Sequence, residues 1–158
     1  MASLLLLPTM CMASELQPQQ RDWYASRIST GVVAPTATPP MPNAAAEAVI
    51  EWQALTRTQR PSFDRVASFL MANPGWPNEA DLKRAAEAAL DTGGFIPASA
   101  ATYFDRFTPT NAAGFLRQAL ALRAANRMDE AQAAARRAWT AGALSADEES
   151  RLLSFFPG

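Results

Sequence analysis

Carboxylate pairs are the residues of this sequence whose spacing could support acid–base chemistry. Glu47 and Glu51 stand one helical turn apart, which places both on one face of a helix. Such a pair carries out proton transfer only where burial or a neighbouring charge separates the two pKa values. The chain has no histidine, which removes Ser-His and Cys-His pairs and disfavours a protein-held zinc site. A solvated helix face explains these glutamates, and we predict no catalytic, cofactor-binding or metal-ligating residue.

Three further groups of side chains could bind rather than react. Asp147, Glu148 and Glu149 crowd one helix start, where capping and the helix dipole account for them. Trp76 and Trp139 could stack on a sugar ring, but both lie at helix–turn junctions, which favours buried packing. A strip of arginines could bind an anionic polymer, although arginines on solvated helix faces are the commoner arrangement. The arginines of this strip are Arg117, Arg123, Arg127, Arg136 and Arg137.

The composition indicates a soluble globular class with one domain. The chain has 158 residues, of which 49% are hydrophobic, and this is enough for a single real core. Its net charge of -1 gives no overall attraction to nucleic acid or to an anionic membrane, so we predict no nucleic-acid partner. The single cysteine, Cys11, cannot form an intramolecular disulfide.

Residues 1–13 resemble the end of a secretory signal peptide. A leucine run is followed by Cys11-Met12-Ala13, a small-x-small cleavage site before Ser14. The positively charged beginning of such a peptide is missing, so we interpret the segment as a truncated signal peptide and expect a periplasmic protein. A lipoprotein signal around Cys11 and a plain apolar N-terminus are the alternatives. The segment is too short to span a bilayer, and we predict no transmembrane span.

Residues 14–43 are predicted to be a Pro-rich flexible linker. The part from Gly31 to Pro42 is rich in Pro, Thr and Ala, and such a run holds neither a helix nor a central strand. A Pro-rich recognition ligand is the rarer alternative to a spacer.

Residues 44–158 are predicted to form an α-helical domain. Short polar residues that can cap helices precede segments with apolar residues at helical spacing. One of these segments buries a row of alanines that Trp139 closes. The last segment begins with a capping box, in which Ser145 and Glu148 bond reciprocally. The predicted caps are Asn43, Ser62, Asn78, either Thr110 or Asn111, and Ser145.

The helix starts repeat along the chain. Asn78, Asn111 and Ser145 are 33 and 34 residues apart, and a period near 34 is typical of tetratricopeptide-like hairpins. Hairpins of this kind bury their faces against their neighbours. The predicted fold class is therefore all-α, a right-handed superhelical solenoid of tetratricopeptide-like helical hairpins with about seven helices.

A series of short pieces from Asn73 to Phe156 carries a family resemblance. The pieces are Asn73-Pro-Gly-Trp-Pro-Asn78, Leu82-Lys-Arg-Ala-Ala-Glu87, Tyr103-Phe104 to Thr108-Pro109 with Gly114, Asn126-Arg-Met-Asp-Glu-Ala131, Ala135-Arg-Arg-Ala-Trp139, and Leu144-Ser-Ala-Asp-Glu-Glu149 before Leu152-Leu153. In this order they resemble the N-terminal superhelical, non-catalytic region of the soluble lytic murein transglycosylase family. The resemblance covers about half the chain.

The resemblance implies a function that no spacing in the chain establishes. Members of the family cleave peptidoglycan glycan strands with a C-terminal lysozyme-like domain, whose catalytic glutamate belongs to a Glu-Ser motif. Glu149-Ser150 is the only Glu-Ser pair here and lacks the Gly-Leu-Met-Gln segment that follows in the family, so no catalytic residue is carried over.

The leading hypothesis is a non-catalytic helical scaffold segment of an exported bacterial lytic transglycosylase. Its partners would be peptidoglycan glycan strands, reached through the parent enzyme, and the missing C-terminal solenoid and catalytic domain. A free-standing tetratricopeptide-like protein-binding adaptor is the alternative, and an enzyme in its own right comes last. Leu152, Leu153, Phe155 and Phe156 are more apolar residues than one helix face buries, which favours a domain incomplete at its C-terminus.

Overall fold

The computed structural model describes residues 15–30 and 42–156, and these residues form helices without a strand. The predicted all-α class is thereby confirmed. The predicted signal peptide, the proline run from 31 to 41 and the last two residues lie outside the described part. The α-helices are α1 Pro18–Thr30, α2 Ala44–Arg57, α3 Phe63–Ala72, α4 Glu79–Ala89, α5 Pro97–Arg106, α6 Ala112–Ala124, α7 Met128–Thr140 and α8 Ala146–Phe155, with a 3₁₀ turn over Leu90–Thr92.

The chain divides into two units, 1–50 and 51–158, and helix α2 crosses the boundary between them. Each unit is described by itself. Within the described residues, no helix is both long and apolar enough to cross a membrane.

Helix α1 corrects the prediction that residues 14–43 form a linker, because Pro18–Thr30 is helical. Pro18 occupies the first helical position, where its missing N–H costs nothing. Tyr24 gives the helix a tertiary partner: its hydroxyl donates to Glu47 Oε1 at 2.9 Å and accepts from the Asn43 N–H at 3.0 Å. The polar composition of the segment suggested a spacer, but one buried tyrosine with two hydrogen bonds anchors it to the first turn of α2.

The predicted capping residues occupy the N-cap positions, but only some of them cap with a side-chain hydrogen bond. Asn43 and Asn111 accept from the backbone N–H three residues on, and Ser145 and Glu148 form the complete capping box. Ser62 and Asn78 hold the N-cap position without a side-chain hydrogen bond. The reason at Asn78 is its left-handed backbone with φ 61°, a conformation that asparagine tolerates and that turns the chain into α4.

The first part of the core in unit 51–158 is aromatic. Tyr103 on α5 is fully buried and contacts Phe63 of α3 edge to face, with ring centroids 5.4 Å apart. Phe104 and Phe107 extend this cluster along α5. Because these rings come from two different helices, burying them together fixes α3 and α5 against one another.

The second part of the core is an alanine interface between α6 and α7. Four alanines of α7 are buried against Leu116 and Leu122 of α6, and their small side chains let the two helices approach closely. The prediction that Trp139 closes this face is wrong, because 46% of Trp139 is exposed. Trp139 directly follows the buried Ala138, so a rotation of about 100° carries its indole away from the interface. The buried alanines are Ala131, Ala134, Ala135 and Ala138.

Helix α8 packs on α6, and Leu152 is its buried residue. Leu152 is completely buried, whereas Leu153 and Phe155 are 52% and 41% exposed. The surplus of apolar residues on this helix is therefore real, but the residues that face outward are Leu153 and Phe155 and not Leu152. The Arg123 guanidinium lies 4.3 Å from the Phe155 ring centre and covers part of that ring.

Candidate functional site

A cleft of about 390 Å³ lies between α4, the start of α6 and the turn after α7. We call it the Glu87 cleft. Helix α4 supplies Arg84 and Glu87, three residues apart and therefore on one face. Helix α6 supplies Arg117 to the lining of the cleft. The remaining lining residues are small or capping: Asn111, Ala112, Ala113, Ala141, Gly142 and Ala143.

Glu87 is the residue that contributes a carboxyl group to the lining of this cleft. Its side chain lies over Gly114, where an added Cβ would stand 2.7 Å from Glu87 Oε2. Burial raises the pKa of Glu87, while the positive charges of Arg117 and Lys83 partly offset the rise. A partly buried carboxyl group between two cations is typical of binding and catalytic sites, but ion-pair networks of structural origin show it as well.

Arg117 also belongs to an ion-pair network at the edge of the cleft. It donates from Nη2 to Asp91 Oδ2 at 2.7 Å, and Arg151 of α8 donates to the other oxygen of the same carboxylate at 3.2 Å. Arg84 pairs with Asp81 one turn earlier on α4. Asp91 and Asp81 thus engage the two arginines, which line the cleft together with Glu87.

Glu87→Gln should make stability less sensitive to pH. The folded-state pKa of Glu87 lies above its unfolded value, so its contribution to stability is full below the unfolded pKa and is lost as pH rises through the folded pKa. The decline begins at about pH 4, the unfolded value of a glutamate. Glutamine resembles the protonated form, so the variant should have the higher Tm at pH 7, and the two proteins should converge near pH 4.

Glu148→Gln is the matched control with the opposite sign. The Ser145 backbone N–H lowers the pKa of Glu148, so its contribution to stability is present at neutral pH and is lost as pH falls. Thermal unfolding followed by circular dichroism, at pH values from 4 to 7, measures the Tm of both variants. A Tm at pH 7 that falls in Glu87→Gln as it does in Glu148→Gln would contradict the burial argument.

A smaller cleft of about 230 Å³ lies on the other side of the same turn. We call it the Trp139 cleft. Its lining consists of Trp139, Gly142, Ala143, Leu144 and Glu149. Since Gly142 and Ala143 line both clefts, the turn between α7 and α8 is the element that positions them. Gly142 is at φ 146°, which a residue with a side chain adopts at a cost.

The glutamates predicted to stand on a solvated face are engaged in ion pairs. Glu47 accepts from Tyr24 and pairs with Arg27 at 3.5 Å. The Glu51 carboxylate accepts hydrogen bonds from Nε and Nη2 of Arg65, at 2.6 and 2.9 Å. These are structural roles.

The arginine strip does not form one surface of free cations. Arg117 bonds to Asp91, Arg123 covers Phe155, and Arg127 bonds to Asp105 and Glu130. Arg136 and Arg137 are exposed near the end of α7, without an ion pair to any described residue.

The two predicted tryptophans differ. Trp76 is half-buried and meets Phe69 edge to face at 5.8 Å, as the packing interpretation expects. Trp139 is the exposed one and lines a cleft. Only one of the two residues considered for sugar stacking therefore offers its ring to a ligand.

Sequence reasoning missed Glu87. In the sequence, Glu87 stands out only as the last residue of the piece Leu82-Lys-Arg-Ala-Ala-Glu87. The contact with Gly114 is not visible there, because Gly114 is 27 residues away and belongs to another helix. The available signal was Gly114 itself, since a glycine inside a helix costs stability unless another group needs the space. Pro109 Cβ and Glu87 Oε2 fill that space, at 2.8 and 2.7 Å from the Cβ position.

The Glu87 cleft combines two arginines with a partly buried carboxyl group, and the Trp139 cleft combines an exposed aromatic ring with an exposed carboxylate. Among the described residues, no group of three or more carboxylate, thiol or imidazole side chains is placed to hold a metal ion. No protein-family model, curated protein or solved structure matches this chain.

Proposed function

We propose that this chain is a non-catalytic helical scaffold that contacts the glycan strands of peptidoglycan, as a segment of an exported lytic transglycosylase. The observation that carries the proposal is the repeat of helix starts. Asn78, Asn111 and Ser145 are the N-caps of α4, α6 and α8, so the period of 33 and 34 residues is a period of helices. The same stretch contains the ordered pieces that resemble the transglycosylase family.

Helix packing in unit 51–158 supports a stacked scaffold. Helix α3 packs on α4 and α5, and helix α6 packs on α5, α7 and α8. Each helix thus contacts its neighbour in sequence or the next but one, the pattern expected where hairpins stack as a solenoid. Stacked hairpins leave clefts between successive helices, and such clefts suit an extended polymer.

The Glu87 cleft has the chemistry to bind a neutral sugar. Arg84 and Arg117 supply donors, Glu87 supplies an acceptor, and the Asn111 amide N–H₂ is a further donor, while the Asn111 oxygen accepts from the Gly114 N–H. Glu149-Ser150 lies in an ordinary helix, with Ser150 exposed and the Ser154 hydroxyl bonded to its carbonyl. We assign neither residue a part in bond cleavage.

Co-sedimentation with purified murein sacculi tests the proposal. The chain should pellet with sacculi and be displaced by soluble glycan strands. Arg117→Gln should weaken binding, because it removes a fixed donor from the cleft. Arg57→Gln is the matched control, since Arg57 is exposed at the end of α2 and does not line the cleft. A chain that stays in the supernatant would exclude glycan binding.

The alternative is a free-standing adaptor that binds protein segments. The exposed Leu153 and Phe155 on α8 favour it, because apolar side chains that face outward on a helix are typical of protein interfaces. An adaptor would not pellet with sacculi, so the same assay separates the two functions.

A further inference from the structure

We propose that the Trp139 cleft binds an alkylammonium group, a site independent of glycan binding in the Glu87 cleft. The exposed face of Trp139 is the first observation. Trp139 takes part in none of the aromatic or cation–π pairs of the described residues, whereas the Trp23, Phe107 and Phe155 rings each have a cation over them. Among aromatic side chains, tryptophan attracts cations most strongly, so the exposed Trp139 ring is the surface to which a cation would bind.

The Glu149 carboxylate is the second observation. It is exposed, lines the same cleft as the indole and has no hydrogen bond or ion pair with a described side chain. Asp147 and Glu148 precede it, so three acidic residues begin α8. Helix α7 ends at Thr140 on the opposite side of the turn, and the C-terminal end of a helix carries a partial negative charge. The ring and the carboxylate favour a cationic ligand, while the partial negative charge at the end of α7 opposes the partial positive charge at the start of α8.

Arg136 and Arg137 are the cations nearest to Trp139 along α7. Arg137 stands on the last turn of α7, Arg136 directly precedes it, and neither lies over the Trp139 ring although Arg136 is only three residues away. Their positive charge repels a cationic ligand, so removing one of them should strengthen binding. A neutral saccharide stacked on the same ring would gain nothing from that change.

The test is an NMR titration of the full chain that follows the indole N–H of Trp139, assigned by its loss in Trp139→Phe. The probes are n-butylammonium and tetramethylammonium, with methyl glucoside as the neutral probe at the same concentrations. Both cations should shift the Trp139 signal with a Kd in the millimolar range, as expected for one small group, while methyl glucoside leaves it unchanged. Competition between the two cations shows whether a hydrogen-bonding ammonium is preferred over a quaternary one.

Matched variants decide the outcome. Glu149→Gln should weaken n-butylammonium binding about three- to fivefold, and Arg136→Gln should strengthen it. Asp147→Asn is the control: it removes a charge from the same helix turn but does not line the cleft. The proposal is overturned if Asp147→Asn and Glu149→Gln weaken binding equally, if Arg136→Gln has no effect, or if only methyl glucoside shifts Trp139. Far-UV circular dichroism of each variant verifies that the helices persist.

Discussion

Leu152→Glu is expected to destabilise unit 51–158 by roughly 3–5 kcal/mol. Leu152 is completely buried in the core formed by α6, α7 and α8. The change removes the buried apolar side chain and places a charge where the described residues offer no buried polar partner. Helix α8 contacts the rest of the unit through few residues, so the physical outcome is release of α8 from α6. Urea unfolding followed by circular dichroism measures the loss.

Leu153→Glu is the matched control for this prediction. The two leucines are neighbours on α8, but Leu153 is 52% exposed, so its replacement should change stability by no more than about 0.5 kcal/mol. Equal losses from the two variants would show that α8 is not seated on Leu152 as the structure has it.

Ala138→Leu is expected to cost about 1–3 kcal/mol, because the α6–α7 interface has no room for a larger side chain. Ala138 is completely buried and lies in the row of alanines that lets the two helix axes approach. A leucine there forces the helices apart along their whole contact. The resulting loss of packing should lower the urea midpoint without changing the helical signal at low urea.

Ala124→Leu carries the same change to an exposed position at the end of α6 and should be nearly neutral. If Ala138→Leu were equally neutral, the alanine row would not be the contact that holds α6 and α7 together.

The sequence was sufficient to predict the helices of unit 51–158, because their signals are local. Ser145 and Glu148 bond within one turn, Asn111 caps its own helix, and Pro97 starts α5. The buried faces of α3, α5 and α7 also follow from residue spacing alone. Helix α1 could not be predicted in this way. Its support is the pair of bonds from Tyr24 to Glu47 and Asn43, which join residues about twenty positions apart.

The clefts required tertiary information. Helical spacing indicates which residues share a face, but it does not show that Glu87 of α4 lies over Gly114 of α6. Trp139 is predicted to be buried because it lies at a helix–turn junction and closes the alanine row, but one further residue turns its ring outward. The sequence therefore predicted the elements that carry the candidate site, while the meeting of side chains from different helices had to be observed.

Product analysis of murein sacculi after incubation with the purified chain tests most directly the claim that this is a scaffold without cleavage chemistry. Glycosidic bond cleavage needs at least one protonated carboxyl group held beside the scissile bond. Glu149 is exposed in its helix turn, whereas burial raises the pKa of Glu87 and favours its protonated form. Glu87 is therefore the carboxyl group whose replacement tests the prediction most sharply. The account predicts that the chain binds sacculi and releases no anhydro-muropeptides. Anhydro-muropeptides that disappear with Glu149→Gln or Glu87→Gln would contradict it.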